Sequence, residues 1–159
     1  MKTIGEELDT LVRATTPRLG AIIEAESLHT RAPGTWSRRQ ILGHLIDSAM
    51  NNLHRFIRAQ QTDELVFPGY EQQFWVDRNG YQDRTWVSLV QLWEHLNLHL
   101  AHVIVLIPAE KANVLCLIGD GKPQTLAFII EDYVRHLRHH LDQILDPDSS
   151  KGSVHARWG

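Results

Sequence analysis

One cysteine, Cys116, stands in a chain of 159 residues, and that scarcity excludes an internal disulfide and any metal site built from several cysteines. It also suits a reducing compartment. No Lys/Arg run occurs, and 16 Lys+Arg against 19 Asp+Glu give a formal charge of −3, so the chain carries no basic field for nucleic acid. No apolar run approaches the roughly 20 residues that span a bilayer. The opening MKTIGEELDT places Glu6, Glu7 and Asp9 where a signal peptide needs apolar residues. These absences lead us to expect a cytoplasmic protein with no membrane and no nucleic-acid partner.

What the chain does have is apolar content, 43% of residues, ample for one core at this length. Helical spacing recurs four times. From Ile4 to Leu28 it runs through Leu8, Leu11, Val12, Leu19, Ile22 and Ile23, interrupted at Pro17, where a helix restart or a kink is expected. Ser37 and Gln40 have capping-box spacing at the head of a second helix carrying Ile41, Leu45, Ala49, Leu53, Phe56 and Ile57. The stretch 62–83 loses the period and mixes Pro68, Gly69 and Gly80 with five aromatic residues, which reads as a packed loop. A third helix runs from Thr85 to about Ile107. After a connection in which NVLCLI suits a short extended piece, Thr125 caps a last helix through Leu126, Ile130, Tyr133, Leu137, Leu141 and Ile144. The reading is an all-α four-helix bundle with one long crossover, a single domain over 1–146 and a polar tail over 147–159.

The chemistry lies in the histidines. At 100° per residue, His140 falls inside the apolar face of the last helix and His136 at its edge. Four apart, they stack on adjacent turns, a spacing that lets two imidazoles reach one ion. His139 is expected to point well away, and Gln143 lies beside His136. Two ligands do not make a site. His44, on the second helix, is the candidate third; it shares a polar stripe with Ser48 and Asn51 that periodicity alone leaves facing either the bundle or water. Asp47 is placed to orient a ligand histidine from behind. His95, His99 and His102 fall on the polar side of the third helix and read as solvated.

The segments WSRRQILGHLIDS from Trp36, MNNLHRF from Met50, PGYEQQFW from Pro68 and the terminal HLRHHLDQI from His136, taken in order, resemble the DinB-like superfamily, and within it the YfiT-type metal-dependent hydrolases. The resemblance covers nearly the whole chain up to Leu145. It implies a four-helix bundle, a homodimer, and a divalent ion, zinc or nickel, held by one histidine of the second helix and the first and third of the H-x-x-H-H run. In this chain those are His44, His136 and His140. Gly69, inserted between Pro68 and Tyr70, and the extra histidines of the third helix depart from the family pattern and bear on the substrate pocket.

Three neutral imidazoles leave a divalent ion its full charge and an open position for water, the arrangement of a hydrolase. The same ion can hold a small thiol as thiolate, the arrangement of a bacillithiol-like S-transferase acting on a small molecule, and a metal-binding bundle without catalysis is the third reading. Tyr70, Glu71 and Trp75 are placed to cover the ion, with Glu71 a general-base candidate and Tyr70 beside it. Gln143 is assigned a supporting place behind the ligands.

Overall fold

The computed structural model describes residues 1–146; the polar tail expected over 147–159 lies outside the described residues. Helix α1, Lys2–Gly20, turns Leu8, Val12, Thr15 and Leu19 inward. It runs through Pro17 without a restart, although the proline has no N–H to give the Arg13 carbonyl one turn back. The break comes later, at 21–23, before the single turn α2, Glu24–Ser27. Helix α3, Arg38–Ala59, begins at the expected capping box: Ser37 Oγ accepts from Gln40 N, and Gln40 Oε1 accepts from Ser37 N at 3.0 Å.

The stretch expected to be a loop contains structure. Strand β1, Glu64–Phe67, precedes helix α4, Gln72–Asn79, which ends at Gly80 in the left-handed conformation, φ +60°. Glycine adopts that geometry without the clash a Cβ would bring. Helix α5, Trp86–Leu106, strands β2, Leu115–Ile118, and β3, Gln124–Thr125, and helix α6, Leu126–Leu145, follow. Leu65 pairs with Cys116 in the parallel β1–β2 ladder, and β3 adds antiparallel to β2. With four residues each, β1 and β2 are too short to show alternation, which is why β1 escaped the periodicity reading. The extended piece in NVLCLI is β2.

The four long helices form the bundle: α1 packs on α5 and α6, and α3 packs on α5 and α6. Trp93, Phe56, Leu45, Leu100, Ile130 and Leu137 are fully buried between them. Helix α3 is unusual in being buried all round from Ile41 to Ala49. The polar residues His44, Asp47 and Ser48 therefore lie inside the protein, where each must find a partner or a ligand. Among the described residues no helix is long and apolar enough to cross a membrane.

Candidate metal centre

Three histidines from two helices meet in the bundle. His44 on α3 is fully buried, while His136 and His140 on α6 are partly so. One nitrogen from each ring lies within 4.8 Å of the others. His44 Nε2 faces His136 Nε2 at 3.2 Å, and the rings sit edge to face, with centroids 4.9 Å apart for His44 and His140 and 4.5 Å for His136 and His140. Trp36 covers His44 from outside, its ring 5.1 Å away, and is itself fixed by donating from Nε1 to Gln73 Oε1 at 2.8 Å.

Burial, then the neighbouring imidazoles, push the pKa of His44 down to about 2 and that of His136 to about 3. Both rings are therefore neutral at pH 7, with lone pairs free to coordinate. Gln143 Oε1 accepts from His140 Nδ1 at 2.9 Å, leaving Nε2 of that ring as the unprotonated atom. The Gln143 amide in turn donates to His139 Nε2 at 2.9 Å. His139 thus does not point away as expected: its ring packs on His140 at 5.2 Å and holds the glutamine that orients it. The donor set fits a divalent ion of borderline softness: three imidazoles, two of them kept neutral by burial, converge from two rigid helices, and the third has a ring nitrogen held from behind by Gln143.

Other expected site residues are placed differently. Asp47 does not support His44. Its Oδ1 accepts from Tyr81 OH at 2.7 Å and from Asn79 Nδ2 at 3.0 Å, while Oδ2 and His44 Nδ1 are both buried without a hydrogen-bond partner. Burial raises its carboxyl pKa to about 6, against the pull of the Tyr81 bond. Glu71 is exposed and accepts from Gln73 N and Phe74 N; its carboxylate is the N-cap of α4, an assignment that the helix end explains without a catalytic role. Tyr70 does face a cleft beside the site, which also holds His136 and Ser48 and has a cavity volume of about 40 Å³. Its ring packs tilted against Trp75, centroids 5.1 Å apart, and burial lifts the hydroxyl pKa to about 12 despite a hydrogen bond with Ser48, so it is a neutral donor. His95, His99 and His102 are exposed. Sequence reasoning missed Trp36 and Tyr81, whose contacts bridge segments far apart in the chain.

The buried histidines make the metal-free protein acid-sensitive. Below about pH 6.5, the value in the unfolded chain, that chain takes up protons that folded His44 and His136 refuse, so stability falls as pH is lowered. Asp47 works in the opposite sense below pH 6, because its folded form holds a proton that the unfolded chain releases down to 3.8. The net slope there is that of about one group, roughly 1.4 kcal/mol per pH unit. Denaturant midpoints of chelator-treated protein are expected to drop steadily from pH 6.5 to 4.5; equal midpoints across that range would mean that the rings protonate in place.

The family model described as the DinB superfamily matches residues 7–144. A protein of Halalkalibacterium halodurans named "Putative metal-dependent hydrolase" is 29% identical over 121 residues, 76% of this chain and 70% of that protein. One of the same name from Bacillus mycoides is 30% identical over 113 residues, spanning 70% of this chain and 64% of its own length. Among solved structures, YfiT from Bacillus subtilis, described as a probable metal-dependent hydrolase with an unusual four-helix bundle topology, superposes with a TM-score of 0.74 at 18% identity, covering 88% of this chain and 83% of YfiT. The mycothiol-dependent maleylpyruvate isomerase superposes with a TM-score of 0.69 at 16% identity, covering 88% of this chain and 60% of the isomerase. At these identities the two structures establish a shared fold.

Proposed function

The chain belongs to the DinB superfamily, and from that premise we propose that it is a divalent-metal-dependent hydrolase of a small molecule, with His44, His136 and His140 as the metal ligands. The observation that carries this reading is the convergence of three histidine ring nitrogens within 4.8 Å beside an open cleft. Zinc and nickel both suit three imidazoles. Bound there, such an ion supplies a Lewis acid that lowers the pKa of a coordinated water or thiol and polarises a substrate carbonyl.

The protein's own residues do the rest. Gln143 holds the His140 ring in the orientation and tautomer that expose Nε2. Trp36 shields His44 from solvent, which keeps the local dielectric low and strengthens any charge interaction at the centre. The Tyr70 hydroxyl, neutral at all physiological pH, is set to donate a hydrogen bond to a substrate oxygen in the cleft. Cys116 takes no part: it is buried in β2, and burial raises its thiol pKa to about 11. A thiol nucleophile would have to come from outside, which defines the rival reading, a small-thiol S-transferase.

Elemental analysis of untagged protein tests the metal, and turnover screens with and without an added small thiol divide the two reactions. Near one equivalent of a divalent ion, lost in a His136→Ala, His140→Ala double variant, and ester or amide hydrolysis without thiol are expected. Turnover that appears only with thiol would replace hydrolase by transferase; a parent that takes up no added metal would overturn both.

A further inference from the structure

Among the described residues two arginines are buried, Arg39 and Arg55, and they are treated in opposite ways. Arg39, 5% exposed, spends its guanidinium on Ser27 Oγ at 2.8 Å, on the carbonyls of Gln82 and Arg84 at 2.9 and 2.6 Å, and on the Glu24 carboxylate. It is a structural arginine, tying α2 and the turn before α5 to α3. Arg55, 7% exposed, has no hydrogen-bond partner at Nε or Nη2. The ring of Phe67 lies 5.7 Å from its guanidinium carbon, which offsets part of the desolvation but leaves Nε and Nη2 without an acceptor. A guanidinium cannot shed its charge to escape this cost, and a buried charge without a counter-ion destabilises a fold by several kcal/mol. Retaining one demands a reason.

Its surroundings supply the reason. Arg55 lines the same cleft as His136 and Tyr70, together with Ser48, Asn52 and Asp132. Asp132, the acid of that cleft, is already paired with Arg135, so it does not neutralise Arg55. Nε and one terminal nitrogen form the edge of a planar fork that matches the two oxygens of a carboxylate or phosphate. Eleven residues separate Arg55 from His44, about 16 Å along the helix axis at 1.5 Å per residue, and helical side chains lean toward the N-terminus, here toward His44.

We propose that Arg55 anchors an oxyanionic group, a carboxylate or a phosphate, on the substrate at the end remote from the three histidines. The substrate class is thus a small molecule with its anionic group separated from the reacting bond, rather than a neutral ester or amide. The role as substrate anchor rests on the histidines being the reacting centre; the anion site itself depends only on Arg55 and its cleft.

Calorimetric titration of the full chain at constant ionic strength, with and without added zinc, tests it, using succinate, inorganic phosphate and the neutral analogue succinamide as probes. Saturable binding of succinate or phosphate at one site, without binding of succinamide, is expected, and which of the two binds tells carboxylate from phosphate. Arg55→Met should weaken that binding at least tenfold, roughly the loss of one charged hydrogen-bond pair, while metal content stays at the parent level; Arg55→Lys should retain part of it. A parent that binds neither anion, or an Arg55→Met variant that binds as the parent does, would overturn the proposal. The parent arm needs no variant to fold. If the parent takes up no metal yet binds succinate through Arg55, the hydrolase reading fails and the anion site stands.

Discussion

His44→Ala is expected to leave the protein without bound metal after purification, lowering its affinity by more than the tenfold to hundredfold that loss of a residue merely supporting a ligand brings. The two histidines that remain, His136 and His140, are a helical i,i+4 pair, and a pair alone leaves half of a tetrahedral shell to solvent. In the proposed ligand set His44 comes from the facing helix, so it would also clamp α3 to α6 when an ion is present. Its removal should therefore abolish the rise in melting temperature that added zinc gives the parent, since a ligand stabilises only the state that binds it. In the metal-free state the effect should be smaller. The fully buried ring leaves a cavity, which costs stability, but its unpartnered Nδ1 leaves with it. Elemental analysis and thermal melts with and without zinc check both statements. Near-stoichiometric metal in the variant would remove His44 from the ligand set.

Gly43→Ala, one residue away, is expected to destabilise the protein, against the ordinary gain of about 1 kcal/mol for that change within a helix. A Cβ built on Gly43 falls 2.1 Å from Tyr81 Cδ2 and 2.4 Å from Cγ. Tyr81 has nowhere to go: its ring is 3% exposed and its hydroxyl is fixed on Asp47. Overpacking of this kind costs about 1–3 kcal/mol, and pulling the hydroxyl from a buried carboxylate adds a comparable amount. For a domain of this size the melting temperature should fall on the order of 5–10 °C. In a Tyr81→Ala background, where the ring is gone, the same substitution should cost little or become favourable. An equal loss in both backgrounds would mean that the clash lies elsewhere.

Helix α3 shows how far the chain could be read alone. The capping box at Ser37 and the apolar period that follows are local matters: a serine oxygen bonds a backbone amide three residues on, and side chains recur every 100° whatever lies beyond. The same locality made α5, α6 and the stacked pair His136 and His140 legible. It failed over 62–83, where β1 and α4 are too short to show a period and are held by packing across the chain. Glu71 looked available for chemistry only because the helix that it caps was not legible.

Whether His44 faces water or protein is not a local question, and periodicity left it open. The packing of α6 against α3, joining positions 92 residues apart, decides it by burying that stripe. Resemblance to the family was needed to favour His44 from sequence, because no angle within one helix records what a second helix brings to it. The same reason hid the partners: Asp47 bonds Tyr81 and Asn79 rather than His44, Gln143 is held by His139, and Arg55 keeps Nε and Nη2 without an acceptor. Sequence by itself determined which long helices form and where their apolar stripes run, through short-range sterics and hydrogen bonds; only the tertiary structure decided which polar groups are desolvated together, because burial depends on neighbours distant in the chain.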